Sequence, residues 1–140
     1  MEYRKFGDTY LVRMDRGEEI LESLTALCEK ENIHLATVQA LGAVDHAVVG
    51  VYDVLTQIYS KKEFNEPMEI SNLCGTVTRK EGQVYLHLHV TLCGQGMTAH
   101  GGHANALRVS ATCEMAVRTL PGEVGRALDS VTGLNLFKFD

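Results

Sequence analysis

Several features that would assign this chain to a large protein class are missing from its 140 residues. No apolar run approaches the ~18 residues that cross a bilayer, and the N-terminus lacks the apolar core of a signal peptide. The chain is therefore expected to be cytoplasmic and to make no membrane contact. No Gly-x-Ser-x-Gly elbow and no Ser/His/Asp order is present, so serine-type hydrolysis has no support.

Cysteine usage and charge exclude further classes. The four cysteines are dispersed without a Cys-x-x-Cys pair, which predicts reduced, mostly buried thiols. The formal net charge is −5, whereas a protein that binds nucleic acid on its own normally carries a basic surface. Direct nucleic-acid binding is therefore not expected.

What is present indicates one globular domain over residues 1–140, because 45% of the residues are hydrophobic and no linker or repeat interrupts the chain. A capping box formed by Asp15 and Glu18 precedes an amphipathic stripe. The stripe predicts one long N-terminal helix over 17–30, and a short C-terminal helix is predicted over 123–130. Strands are predicted over 9–14, 37–44, 47–52, 57–64, 68–78, 84–92, 107–120 and 134–139. The pattern predicts an α+β fold on a mostly antiparallel sheet.

The segment Leu86-His87-Leu88-His89-Val90 carries the clearest chemistry in the sequence. On an alternating strand His87 and His89 share one face, with their Cα atoms roughly 6.6–6.8 Å apart. A glycine-rich, mobile loop over 94–103 then supplies either His100 or His103 as a third imidazole. Three protein ligands around an open position are typical of catalytic zinc. The alternative is that these histidines are ordinary polar residues of an exposed face.

Three further residue types, a glutamate, a cysteine and two glycines, need separate interpretation. Glu114 lies on the polar side of its predicted strand, where it is a candidate partner of a histidine ligand or general base, or simply a surface carboxylate. Cys93 has the parity of a ligand but ends its strand, which favours a buried thiol. Gly42 and Gly50 lie within strands and indicate a bulge or close packing.

The turn Gly94-Gln-Gly-Met-Thr-Ala99 mimics a dinucleotide-binding fingerprint. That motif must open a helix whose N-terminus holds the pyrophosphate. Here His100-Gly-Gly-His103 follows immediately and would disrupt the first turns of such a helix. The sequence therefore disfavours nucleotide binding at this turn.

An ordered set of motifs resembles the PPC domain (plant and prokaryote conserved domain) in its stand-alone prokaryotic form. The matching features run from Arg13 to Phe139. The motifs are Val12-Arg-Met-Asp-Arg-Gly-Glu18, Ala40-Leu-Gly-Ala43, Val51-Tyr-Asp53, Leu73-Cys-Gly75, His87-Leu-His89, Gly101-Gly-His103, Ser110-Ala-Thr-Cys-Glu114 and Asp129-Ser-Val-Thr-Gly133.

The resemblance implies a homotrimer with a metal site at His87, His89 and His103, so that His103 is preferred over His100. It also implies a fold similar to that of acetolactate decarboxylase, a zinc enzyme with three histidine ligands. Fold similarity does not transfer that activity. Plant members carry AT-hooks, but this chain has no Arg-Gly-Arg-Pro segment.

Three function hypotheses follow. The first is a trimeric domain that binds a divalent metal, most simply zinc, and senses or acts on a small polar metabolite; any enzymatic activity would be lyase- or hydrolase-like, with Glu114 handling a proton. The alternative is a DNA-associated regulatory or protein-interaction module, consistent with the provisional DNA-binding label of the family. A third possibility is a structural trimer whose metal only stabilises the fold.

Overall fold

The computed structural model describes residues 1–139, which form nine strands and one helix. In chain order the elements are β1 (Glu2–Phe6), β2 (Thr9–Asp15), α1 (Ile20–Lys30), β3 (Ala36–Asp53), β4 (Ile58–Phe64), β5 (Met68–Lys80), β6 (Gln83–Cys93), β7 (Ala99–Thr119), β8 (Gly125–Leu128) and β9 (Asn135–Lys138). The predicted strand-rich α+β class is confirmed.

Helix α1 is shorter than predicted and does not open the chain, because β1 and β2 precede it. The Glu18 carboxylate accepts the Asp15 amide at 2.7 Å, as a capping box requires. The chain then turns at Arg16 and Gly17, so the helix is not capped at Asp15 as predicted. Glu19 caps it by accepting the Glu22 amide at 2.8 Å. Among residues 1–139, no helix combines the length and apolar character that a bilayer crossing demands.

The main sheet has seven antiparallel strands in the order β1-β2-β7-β6-β5-β3-β4. Strand β3 also pairs with β7, so the pairings β3–β5, β5–β6, β6–β7 and β7–β3 close a ring. The predicted break between residues 44 and 47 is wrong, since β3 is one strand that absorbs the irregularity in bulges. Gly42 lies at such a bulge, where an added Cβ would meet the Thr112 backbone, which confirms its predicted role.

The predicted C-terminal helix over 123–130 is wrong. Residues 125–128 form β8, which pairs with β9 in a separate two-stranded sheet. The Arg126 guanidinium lies 4.8 Å from the ring centre of Tyr85 and 4.2 Å from that of Phe137. Tyr85 belongs to β6 and Phe137 to β9. Because a short segment without an apolar stripe has little helical stability of its own, its tertiary contacts decide that it forms a strand.

The core lies between α1 and one face of the sheet. Ile20, Leu24, Leu27 and Cys28 of the helix are completely buried, and α1 packs against β6 and β7. All four cysteines are free thiols, but only Cys28 and Cys113 are buried; desolvation raises the pKa of both to about 12. The expectation of mostly buried thiols is therefore wrong for Cys74, which is exposed, and the buried thiol predicted at Cys93 is only partly buried.

Candidate metal centre

Strand β6 separates its apolar and histidine residues by simple alternation. Leu88, Val90 and Leu92 point into the core and are at most 2% exposed. His87 and His89 therefore point to the opposite, open face, where both are exposed. The burial of the leucine and valine side chains fixes the register, since a slip of one residue would send the histidines into the core.

His103 reaches the same face because β7 pairs with β6 and places His103 directly opposite His89. The glycine-rich segment before it is not entirely a loop, since β7 begins at Ala99. An added Cβ at Gly101 would stand 2.8 Å from the Val90 carbonyl oxygen, and one at Gly102 would meet the Gly50 backbone. These glycines thus permit close strand packing, which corrects the expectation of a mobile loop up to residue 103.

The three imidazoles converge. Their ring centres are 5.3 Å (His87–His89), 5.5 Å (His87–His103) and 5.7 Å (His89–His103) apart. One ring nitrogen from each lies within 4.8 Å of the other two. Zinc ligands at ~2.0–2.1 Å from the ion are closer together than that, so small rotations of the rings would complete a three-histidine site.

The electrostatics of the cluster favour neutral imidazoles. Partial desolvation of its ring lowers the pKa of His87, although the residue is exposed overall, and the neighbouring Arg126 and His89 lower it further. Burial also lowers the pKa of His103, followed by the effects of His87, His89 and Lys61. Because a metal binds the neutral imidazole, the donor set fits a divalent ion.

Tyr59 is a neighbour of the cluster that the sequence did not reveal. Its ring lies across Gly50, where an added Cβ would collide with the phenol, and its centre is 6.3 Å from that of His103. Asn105 donates to the Tyr59 hydroxyl at 2.7 Å and to the His103 carbonyl oxygen at 3.0 Å. The prediction of close packing at Gly50 is confirmed, and the glycine is the one sequence signal that could have located Tyr59.

The other candidate ligands lie elsewhere. His100 stacks on Phe64 with ring centres 5.0 Å apart, and Cys93 pairs with Ala99 at the end of β6. Neither belongs to the cluster. Cys74, which was not a candidate, is the cross-strand neighbour of His89 on β5.

Glu114 is exposed on the C-terminal part of β7, opposite Arg13 of β2 and Leu41 of β3. It lines a groove of about 690 Å³ and is not part of the three-histidine cluster. The structure therefore brings together the three predicted histidines but not the predicted carboxylate. A proton-transfer role for Glu114 stays a prediction.

Fold and cluster together define a class: a strand-rich antiparallel α+β domain with three histidines on an open sheet face. Residues 1–121 match the model of the Plants and Prokaryotes Conserved (PCC) domain, which is the PPC family. The chain belongs to this family. Among curated proteins no significant match is found.

Solved structures agree with this assignment. A candidate DNA-binding protein from Bacteroides thetaiotaomicron is 31% identical with a TM-score of 0.96, over 99% of this chain and 96% of that one. A metal-containing protein from Archaeoglobus fulgidus is 38% identical with a TM-score of 0.89, over 99% of this chain and 97% of that one. The alpha-acetolactate decarboxylase of Bacillus subtilis is similar in fold alone, at 11% identity and a TM-score of 0.57, over 87% of this chain and 57% of that one.

Proposed function

We propose that this protein binds one divalent metal ion, zinc in first place, through His87, His89 and His103, and that the site senses or acts on a small polar molecule. The observation that carries the proposal is the convergence of three ring nitrogens within 4.8 Å of one another. A divalent ion held there supplies Lewis acidity. Three protein ligands leave a coordination position for a ligand.

Two further observations support the metal. Both His87 and His103 have a lowered pKa, so these rings are available as neutral ligands near pH 7. The relative from Archaeoglobus fulgidus, 38% identical over almost its full length, is described as metal-containing. That description names neither the ion nor its ligands, so the residue assignment rests on this chain's own geometry.

The metal proposal is tested by elemental analysis and zinc titration of the purified protein. We expect one ion per chain in the wild type. His87→Ala and His103→Ala should each weaken binding by more than the roughly 10–100-fold that loss of an outer hydrogen-bond partner costs. His100→Ala is the matched control for His103→Ala, because both histidines lie on β7 but His100 is outside the cluster. Unchanged, substoichiometric metal in all variants would contradict the proposal.

The same preparations separate a ligand-binding metal from one that only stabilises the fold. Chelation is expected to abolish small-molecule binding. If chelation lowers the melting temperature and the protein binds no small molecule in either form, the metal is structural.

We further propose that the chain assembles as a homotrimer through the groove that contains Glu114. Phe6, Leu11 and Leu41 line this groove and are 55%, 52% and 58% exposed. Exposed apolar side chains gathered in one groove typically mark an interaction site. Within one chain Glu114 lies outside the three-histidine cluster, so its proposed proton-handling role requires that assembly bring it close to the histidines. If assembly does so, Glu114→Gln should leave metal content unchanged and weaken small-molecule binding. An unchanged ligand affinity would remove Glu114 from the site.

The second candidate is a DNA-associated regulatory module, favoured by the candidate DNA-binding relative from Bacteroides thetaiotaomicron. Against direct contact stand the net charge of −5 and the engagement of several arginines with carboxylates, as in Arg108–Asp45 and Arg118–Asp8. A gel-shift titration discriminates the two functions. Tight, salt-sensitive DNA binding would favour the second.

A further inference from the structure

The β8–β9 hairpin, which follows the part of the chain that matches the family model, is fixed at one end by Arg126. The guanidinium Nε donates to the Thr78 hydroxyl at 3.0 Å and Nη2 donates to the Thr76 hydroxyl at 3.3 Å. Thr76 is the direct cross-strand neighbour of His87. Arg126 is therefore held one strand away from the first histidine of the cluster.

The turn of the same hairpin is fixed on the other side of the cluster. Tyr52 of β3 donates its hydroxyl hydrogen to the Thr132 carbonyl oxygen at 2.8 Å, and the Gln57 side chain donates to the Val131 carbonyl oxygen at 3.4 Å. Along the ring of paired strands, β6 and the first part of β7 lie between β5 and this part of β3. These are the strands that carry the three histidines, so the hairpin is anchored on both sides of the cluster.

A second cation flanks the cluster on the side away from Arg126. His89 pairs with His103, His103 pairs with Gly50, and Gly50 pairs with Lys61 of β4. Lys61 therefore lies in the same lateral row of the sheet as two of the histidines. Its ammonium nitrogen is 5.6 Å from the ring centre of Tyr59, which itself lies beside His103.

Neither flanking cation is neutralised by the chain. Among residues 1–139, no carboxylate forms an ion pair with Arg126 or Lys61, and the ligand cluster contains no carboxylate. Arg79, the other partly buried arginine, by contrast holds Glu29 at 2.8 Å. A divalent ion on three neutral imidazoles would add two more positive charges, in a chain whose net charge is −5. Such a local excess of positive charge attracts anions.

Arg126 also keeps donors for a ligand. A guanidinium has five N–H groups, and the chain uses one each at Nε, Nη1 and Nη2. Two N–H groups are left for an oxyanion. Charge-assisted hydrogen bonds of this kind are roughly twice as strong as neutral ones.

We propose that Arg126 and Lys61 make the three-histidine centre a site for a small organic molecule that carries an oxyanion, a carboxylate in first place. This rests on the metal site proposed above and names the class of ligand that the site takes. Arg126, supplied by the C-terminal hairpin, is the residue that selects for the anion. Lys61 contributes the second charge, with its position supported by Tyr59.

The test is a calorimetric titration of the metal-loaded protein with lactate, inorganic phosphate and lactamide. Lactamide is the uncharged amide analogue of lactate, so the difference between their affinities measures the contribution of the carboxylate charge. We expect lactate to bind and lactamide to bind at least tenfold more weakly. Phosphate distinguishes the two oxyanion sources: tighter binding of phosphate than of lactate would overturn the assignment to a carboxylate.

Arg126→Gln and Lys61→Gln should each weaken lactate binding about tenfold or more while metal content stays unchanged. Lys62→Gln is the matched control, because Lys62 is adjacent in sequence but lies over Phe64 instead of Tyr59. Lys61→Gln keeps the test valid if Arg126→Gln loosens the hairpin. Equal binding of lactate and lactamide, or equal loss with Lys62→Gln, would overturn the proposal.

The two proposals fail in distinguishable ways. A metal-loaded protein that treats lactate and lactamide alike retains the metal site and contradicts the anion site. A wild-type protein without metal contradicts the metal site, and the same titration then tests Arg126 and Lys61 alone. In that case a preference for lactate that Lys61→Gln removes would support the anion site, and no preference would overturn it.

Discussion

The two faces of the sheet differ in what covers them and in whether their partly buried arginines are paired with carboxylates. On the helix side, α1 covers the strands, and its apolar residues are fully buried. Arg79 on this side satisfies carbonyl oxygens of Cys28 and Ile33 and pairs with Glu29. On the histidine side, Leu11 and Leu41 are more than half exposed, and Arg126 has no carboxylate partner among residues 1–139.

The difference separates residues that stabilise the fold from residues that are available to bind a ligand or a partner. Burial of apolar side chains stabilises the helix side by roughly 1.5–3 kcal/mol per residue, so substitutions there should lower the free energy of unfolding. The histidine side contributes little such burial and presents ligand atoms, cations and an apolar groove instead. Its substitutions should change what the protein binds.

The largest expected effect is the loss of a leucine on the helix side. Leu24→Ala should lower the free energy of unfolding by about 2–5 kcal/mol, because a completely buried side chain leaves a cavity. Chemical denaturation measures it. If the variant unfolds with wild-type stability, α1 does not contribute the core described above.

An intermediate effect is expected from two glycines near the cluster. An added Cβ at Gly75 would meet the His87 backbone, whereas one at Gly50 would meet the end of the Tyr59 side chain. Gly75→Ala should therefore cost about 1–3 kcal/mol of stability, and Gly50→Ala clearly less, because a side chain can move. Paired denaturation curves check the order, and Gly96→Ala is the control, because an added Cβ there would meet no atom closer than 4.0 Å and Gly96, like Gly50 and Gly75, has no positive φ.

The smallest effect on folding is expected on the histidine side. Leu41→Arg should change the stability of the chain by no more than about 0.5 kcal/mol, since Leu41 is 58% exposed. It should nevertheless reduce the particle mass from three times 15.4 kDa toward one, as measured by light scattering. Leu55→Arg is the control, because Leu55 is 96% exposed and lies outside the groove. A wild-type particle mass in Leu41→Arg would contradict assembly through this groove.

Local patterns predicted much of the fold because alternation and helical periodicity are properties of neighbouring residues. The burial of Leu88 and Val90 confirms the expected orientation of β6. Predictions were wrong where distant contacts override local preference. Residues 125–128 form a strand that Arg126 holds against Tyr85 and Phe137, and β3 runs on through a predicted break because β7 pairs with it on both sides of that point.

The residues of the candidate site also divide into those that a local pattern locates and those that distant strand pairings bring together. His87 and His89 share a face by alternation alone, so the sequence located them together. The approach of His103 depends on the β6–β7 register, which the resemblance anticipated but spacing left open between His100 and His103. Tyr59 and Lys61 come from β4 and Arg126 from β8, 28, 26 and 39 residues away from His87 in sequence. No local pattern joins them.

By itself, therefore, the amino-acid sequence determined the apolar face of strands such as β6, the approximate place of the long helix and the shared face of His87 and His89, since each depends on residues close together in the chain. Only the tertiary structure decided that His103 completes the cluster, that Glu114 lies in a separate groove and that Arg126 and Lys61 flank the three histidines. These arrangements follow from the pairing of strands distant in sequence and from the docking of the C-terminal hairpin.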